Sequence, residues 1–488
     1  MYPKIFLLVS RRWYDITLDI PTLWSYLSTT DDSTMDGISL YLERSKSSPL
    51  SIRLSYLSRV SEDDEEDSQI EKLVKASSDF RRLISQPQDS QDDVTPSLSL
   101  NIEKTTVQLL GEKMTLLLQH AERWNRFLFS ASQLRFIYHT ADMVTENSGN
   151  IPHLIEYGLI YVDQNCCDIM DGLEPSRNTP WLSSPMPLLE ILILTCGRTR
   201  AMSTKPHRSI HPLFPALREL EVNHLKGRQS LLNLQGLLDC LPQLRTLRLN
   251  RIKYFDENLL EQRPTRSVIL EDLEELTVKE WDWLSLKCIL KFLSLPNVQM
   301  ISFIKTEIQD VDAYAEIAQE SPCFANSRRL RLEGIWFTKW VFRLGFNPEL
   351  ETSLARRWQC TLKLLSSTPG LTSIHLDFET KFLAEPLIRP YFGILHIRVP
   401  RFTNNPLLPK LTEMSFSGFS GDEIINIVSG RRELGVPLKA LHIDKILILC
   451  DEVTFEHWEY LLGEVETLSW FENDELQVGC TCASRTAR

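Results

Sequence analysis

No apolar run in this 488-residue sequence approaches the roughly 18 residues a helix needs to cross a bilayer. A membrane partner is therefore not expected. The first apolar word, Ile5 to Val9, is short and no small-residue cleavage site follows it, so it does not read as a signal peptide. Asn-x-Ser/Thr sequons are missing altogether, which favours a cytoplasmic or nuclear location. The ten cysteines are scattered and none has C-x-x-C spacing; only Cys166–Cys167 and the pair Cys480 and Cys482 lie close together. They read as reduced thiols, not as a disulfide or metal framework. Positive charge is the minority, with a net charge of −12, which argues against a nucleic-acid partner because phosphate binding needs clustered Lys and Arg.

Catalytic signatures are missing too. No phosphate-cradling G-x-x-x-x-G-K-[ST] or H-E-x-x-H occurs, and Ser417 to Asp422 (SGFSGD) lacks the spacing of a nucleophile elbow. His207 and His211 are four apart, but Pro206 and Pro212 make that stretch a loop, which does not aim two imidazoles at one ion. The sequence thus predicts no catalytic residue, no cofactor and no metal: a non-enzyme.

What the chain does contain is one phrase repeated. FPALRELEVNHL carries Leu217, Leu220 and Val222 as L-x-x-L-x-L; LPQLRTLRLNRI repeats it with Leu244, Leu247 and Leu249. Between them QSLLNLQGLLDCL has helical apolar spacing, and Pro215 and Pro242 hand the chain from helix to strand. Further copies begin at Leu154, Leu189, Leu273, Val298, Ser327, Leu371, Phe392, Leu411, Leu438 and Val465. From Leu189 on, successive starts lie 19 to 29 residues apart, with one gap of 44 that holds an insertion. Helix plus short strand at this period is the mark of a leucine-rich-repeat solenoid: an α/β fold with parallel strands on the concave side and helices outside. The copies are degenerate. Where such units carry Asn or Cys after the third apolar position, this chain has Leu225, Ile252, Trp281 and Phe419, so no regular amide ladder is expected.

The N-terminal words are VSRRWYDI (Val9–Ile16) and IPTLWSYL (Ile20–Leu27), read as two short helices, the second carrying Leu23, Trp24 and Leu27 on one face. They resemble the second half of an F-box as found in fungal F-box-like leucine-rich proteins. LYLERSKSSPLSIRL (Leu40–Leu54) resembles the segment that follows it there, and Glu122–Trp124 (ERW) is a further shared word. The family's opening Leu-Pro acidic helix has no counterpart here, so weak or absent adaptor binding is expected. The resemblance implies a substrate-recognition subunit of a Skp–cullin–F-box ubiquitin ligase. Val9, Trp13, Leu23 and Trp24 would face the Skp-type adaptor and the concave face would hold an unknown protein target. The alternative is a ligase-independent scaffold whose truncated F-box only caps the solenoid.

The expected organisation is a partial F-box-like helical region at 1–45, a first strand and joining segment at 46–57 and an acidic insertion at 58–97. The solenoid follows at 98–478 and a tail at 479–488. Six consecutive carboxylates, Glu62 to Asp67, repel one another and make the insertion a solvated loop, with a short helix at Ile70–Ile84. Within strands, residues between the apolar positions point outward. His375, His396 and His442 share one outward slot in different units, with Asp377, Arg398 and Asp444 two residues on. On this reading His375 and His396 lie side by side in an exposed, pH-sensitive patch that grips a partner, both imidazoles charging below about pH 6.

Overall fold

The computed structural model describes residues 11–30, 33–57, 97–147, 149, 151–162, 186–195, 214–224, 234–252, 267–281, 283–305, 307–308, 323–334, 336–337, 363, 365–377, 384 and 407–471. Outside them lie the acidic insertion apart from Ser97, the copy starting at Phe392, and the tail. The chain is α/β, with fourteen parallel strands hydrogen-bonded in chain order. It divides into two compact units, Met1–His153 with Leu159–Ile169, and Leu154–Gly158 with Met170–Arg488.

In the first unit, helix α1 (Arg11–Asp19) leads through a 3-10 turn at Pro21–Trp24 into strand β1 (Tyr26–Thr30). This corrects the sequence reading: Leu27 is in a strand, so region 1–45 is not wholly helical. Pro21 fixes the first turn, and the β-branched pair Thr29–Thr30 favours extension. Helix α2 (Met35–Arg44), capped by the Thr34 side chain, returns the chain to β2 (Leu50–Tyr56). Helix α3 (Ser97–Leu118) precedes β3 (Trp124–Ala131) and α4 (Leu134–Glu146). Strands β1 and β2 pair in register, and β2 pairs with β3 with one register shift between Leu50 and Ser51.

Two tryptophans tie helix ends to strand starts here. Trp24 Nε1 donates to the Thr17 carbonyl at 2.8 Å, and Trp124 Nε1 donates to Leu117 at 3.2 Å, each reaching seven residues back. A buried indole needs such an acceptor. Trp24 stands edge-on to Tyr41 (5.1 Å), and Trp124 stacks on Phe127 (4.8 Å). Arg123 completes the ERW word: its guanidinium donates to the Ser48 carbonyl and, at 2.6 Å, to Ser45 Oγ, binding the turn after α2.

The second unit repeats one device. Its strands are β4 (Glu156–Tyr161, of which residues 156–158 fall in this unit), β5 (Ile191–Thr195), β6 (Glu219–Asn223), β7 (Thr246–Ile252), β8 (Glu275–Trp281) and β9 (Met300–Ile304). They continue as β10 (Arg329–Glu333), β11 (Ser373–Leu376), β12 (Glu413–Phe416), β13 (Ala440–Asp444) and β14 (Thr467–Phe471). Each strand begins two residues after its first apolar position, and those positions, from Leu154 to Val465, are buried. Register aligns Leu220, Leu247, Leu276, Ile301, Leu330, Ile374, Met414 and Leu441 as one inward row. A backbone ladder precedes the strands. The Arg218 carbonyl accepts from the N–H groups of Arg245 (2.8 Å) and Thr246 (2.9 Å), and Thr412 accepts from Lys439 and Ala440 in the same way.

The chain leaves most of these strands through one left-handed residue, seven places after the first apolar position. His224, Arg251, Glu280 and Lys305 adopt φ of 49° to 57° there, and Gly334 and Gly418 occupy the same place. At Gly334 an added Cβ would lie 3.0 Å from Lys305 Cγ, so glycine serves both backbone and packing. One place earlier the side chain is often polar and buried, as at Thr195, Asn223, Glu333, Asp377, Ser417 and Asp444. Asn250 donates to Asn223 Oδ1 at 2.8 Å, a two-rung amide ladder at that place. One place after the left-handed residue, Trp281 donates its indole N–H to the Leu249 carbonyl of the neighbouring strand at 2.9 Å.

Helices fill some returns. Helix α5 (Trp283–Phe292) ends where Leu293–Ser294 pairs as a short strand with Val268–Ile269. Beyond the short α6 (Cys323–Asn326), α7 (Gly421–Glu433) opens on a Ser420–Glu423 capping box. A one-turn helix, α8 (Lys445–Leu449), follows β13. Helix α9 (Phe455–Glu464) starts after the Thr454 cap. Strand β11 pairs with β10 on one edge and β12 on the other. Both its edges are filled, and the strand that follows it in the sheet belongs to the copy starting at Leu411. That correction changes the site.

Candidate functional site

The outward residues of β9 to β14 form two rows. One, set by register, runs Ser302, Arg331, His375, Ser415, His442, Ser469. The other runs Met300, Arg329, Ser373, Glu413, Ala440, Thr467. Small Ser373 and Ser415 sit among long side chains, so the surface sinks between them. The result is a cavity of about 320 Å³ walled by Arg329, Arg331, His375, Glu413, His442 and Phe471.

Its charges are only partly matched. Arg331 donates from Nε (2.9 Å) and from the terminal guanidinium (2.5 Å) to Glu333 Oε2. Arg329, at the rim, has no ion pair among the described residues. His442 is held from both sides, Nδ1 against Ser469 Oγ at 2.6 Å and Nε2 3.3 Å from Glu413 Oε1. Serine, imidazole and carboxylate stand in line, with Ser469 in the middle of its strand. The line orients the His442 ring.

His375 is different. Its side chain is 12% exposed, its ring meets Phe471 edge-on at 5.5 Å, and Nε2 lies 4.0 Å from Glu333 Oε2 without making a hydrogen bond. Burial, reinforced by the Arg331 guanidinium and opposed by Glu333, lowers its pKa to about 4. At pH 6 this imidazole is neutral.

The structure therefore brings His375 and His442 to one hollow but not side by side: Ser415 stands between them and Arg331 on the other flank of His375. His396 and Arg398 lie outside the described residues. The expected solvated patch is corrected at His375, which is recessed, and the joint charging below pH 6 does not apply to it. Asp377 and Asp444 do not offer themselves to a partner either, being 8% and 1% exposed. Each sits where the chain leaves its strand and free backbone N–H groups need acceptors. Asp377 takes the N–H of Gly334, and Asp444 caps α8 through Ile446 at 3.0 Å. Burial pushes the Asp444 carboxyl up, the Ile446 N–H and Ser417 pull it down, and Glu333 adds to the upward shift.

Of the residues expected to meet an adaptor, Val9 and the side chain of Trp13 lie outside the described set. Leu23 is half-buried. Trp24 is 1% exposed and belongs to the core of its unit, so its indole is not a docking group. Sequence reasoning missed Arg329, Arg331, Glu413 and Phe471. Arg329 and Arg331 occupy outward slots in the copy that starts at Ser327, and that slot assignment was the available signal. Comparison of the chain with protein-family models and with curated proteins finds no match.

Proposed function

We propose that this chain is a non-catalytic protein-interaction module, a leucine-rich-repeat solenoid that recognises a protein target on its outward strand face. Through its F-box-like N-terminal words it would serve as the substrate-recognition subunit of a Skp–cullin–F-box ubiquitin ligase in the cytoplasm or nucleus. One observation carries the reading. From β4 to β14 the inward row stays apolar, while the outward rows change chemistry from strand to strand. Glu219 and Glu221 give way to Thr246 and Arg248, then to Glu275 and Thr277, and finally to the histidine-lined hollow. Surfaces that bind show such variation over a constant scaffold.

The scaffold reading keeps the same face and drops the adaptor. Calorimetry of the 488-residue chain with a Skp-type adaptor separates the two. A saturable complex supports the ligase assignment; no heat of binding leaves the scaffold. Capture of the cullin through that adaptor is the second expected result for the ligase reading.

A further inference from the structure

We infer that the hollow between Arg329 and His442 is a recognition pocket for one carboxylate side chain, Asp or Glu, presented by an extended segment of a protein partner. This deepens the interaction-module reading and rests on it for the nature of the partner.

Charge decides the class of ligand. Arg331 is paired with Glu333 and Glu413 stands against His442, whereas the Arg329 guanidinium has no ion pair among the described residues. A single negative charge balances it. A doubly charged phosphate would leave an excess negative charge beside Glu413 and Glu333, so a carboxylate fits better. Arginine is also suited to carboxylates by shape, since its planar fork can donate two parallel hydrogen bonds.

Room and polar partners follow from the rows. Register sets Ser373 beside Arg329 and Ser415 beside His375. Neither serine hydroxyl has a hydrogen bond among the described residues, and both line the cavity. Both can donate into the space that the guanidinium borders. Met300 and Phe471 supply apolar wall for the methylene groups of the entering side chain. About 320 Å³ holds a side chain and a short stretch of backbone, not a folded element. A neutral His375 adds no second positive charge, which keeps the pocket matched to one carboxylate.

The test uses the full chain and four small probes: the N-acetyl, N-methylamide derivatives of glutamate, phosphoserine and lysine, and inorganic phosphate. Each is titrated while the His375 Cε1–H resonance is followed by NMR, assigned by its loss in His375→Gln. The glutamate probe should shift the resonance saturably and more tightly than the other three. Arg329→Gln should weaken it about tenfold, the scale of one charge-assisted contact. Arg248→Gln, which removes an ion pair with Glu219 elsewhere on the same face, should leave it unchanged. Equal binding of the lysine probe, tighter binding of phosphoserine or inorganic phosphate, or no effect of Arg329→Gln overturns the assignment. The titration needs neither adaptor nor target, so it can fail while the interaction module stands, and the adaptor experiment can fail while the pocket holds.

Discussion

His375 makes the most demanding prediction, because its setting can be turned into a pH dependence. Its pKa falls from 6.5 to about 4, with burial the leading cause and Arg331 next. Above pH 6.5 the imidazole is neutral in folded and unfolded chains alike and adds no pH dependence. Between 6.5 and about 4 the unfolded chain binds a proton that the folded chain refuses, so stability falls as pH falls. Each tenfold weakening of proton affinity corresponds to about 1.4 kcal/mol, so the loss reaches about 3 kcal/mol by pH 4 and stays constant below it. The perturbation is His375→Gln, which keeps a polar side chain and removes the titration. Denaturant unfolding of both proteins between pH 7.5 and 4 should show wild type losing about 3 kcal/mol more than the variant. NMR titration of the His375 Cε1–H should give a midpoint near 4. A midpoint at 6 or above, or parallel stability profiles, would refute the claim that burial beside Phe471 and the Arg331–Glu333 pair keeps this ring neutral.

Two further predictions concern the framework. Leu247→Ala removes a fully buried side chain flanked by Leu220 and Leu276 in the inward row, and should cost about 2–5 kcal/mol by denaturant midpoint; an unchanged midpoint would contradict that packing. Arg431 is fully buried in α7 and donates to the carbonyls of Leu407, Leu408, Leu411 and Val436 at 3.1 to 3.3 Å. Burial lowers its pKa to about 10, which leaves it charged at neutral pH. Arg431→Met should therefore destabilise by on the order of 3 kcal/mol and speed amide exchange in 407–444, since buried carbonyls lose their donors; wild-type exchange there would show that water replaces them.

Where the sequence spoke clearly, it did so through local periodicity. A strand of the second unit needs only its own first, second and third apolar positions to declare itself, and each described copy follows that rule. The N-terminal word failed for the same reason. Leu23, Trp24 and Leu27 fit a helical face, while Leu27 and Thr29 fit a strand, and so short a word satisfies both periods. The left-handed residues were hidden because His224, Arg251, Glu280 and Lys305 share no side-chain chemistry. They turn there because the backbone closes between neighbouring strands, as when the His224 N–H reaches the Asn250 carbonyl at 2.9 Å.

The errors at the candidate site have a different origin. Asp377 and Asp444 were assigned outward by carrying alternation to the strand end, Asp377 just past β11 and Asp444 the last residue of β13, where the side chain turns back onto backbone amides. His396 was set beside His375 because consecutive copies were taken to be consecutive strands. Adjacency in a sheet is a matter of which edges are filled, and β12 fills the edge of β11. Ser415 thereby becomes the neighbour of both His375 and His442. That substitution of serine for an expected histidine opens the hollow: two imidazoles side by side would have packed into a flat polar ridge. A serine between them leaves space, bordered by Arg329 and floored by hydroxyls, into which a side chain can reach. The chemistry of each wall residue is legible in the sequence, whereas the cavity belongs to the order in which the strands meet.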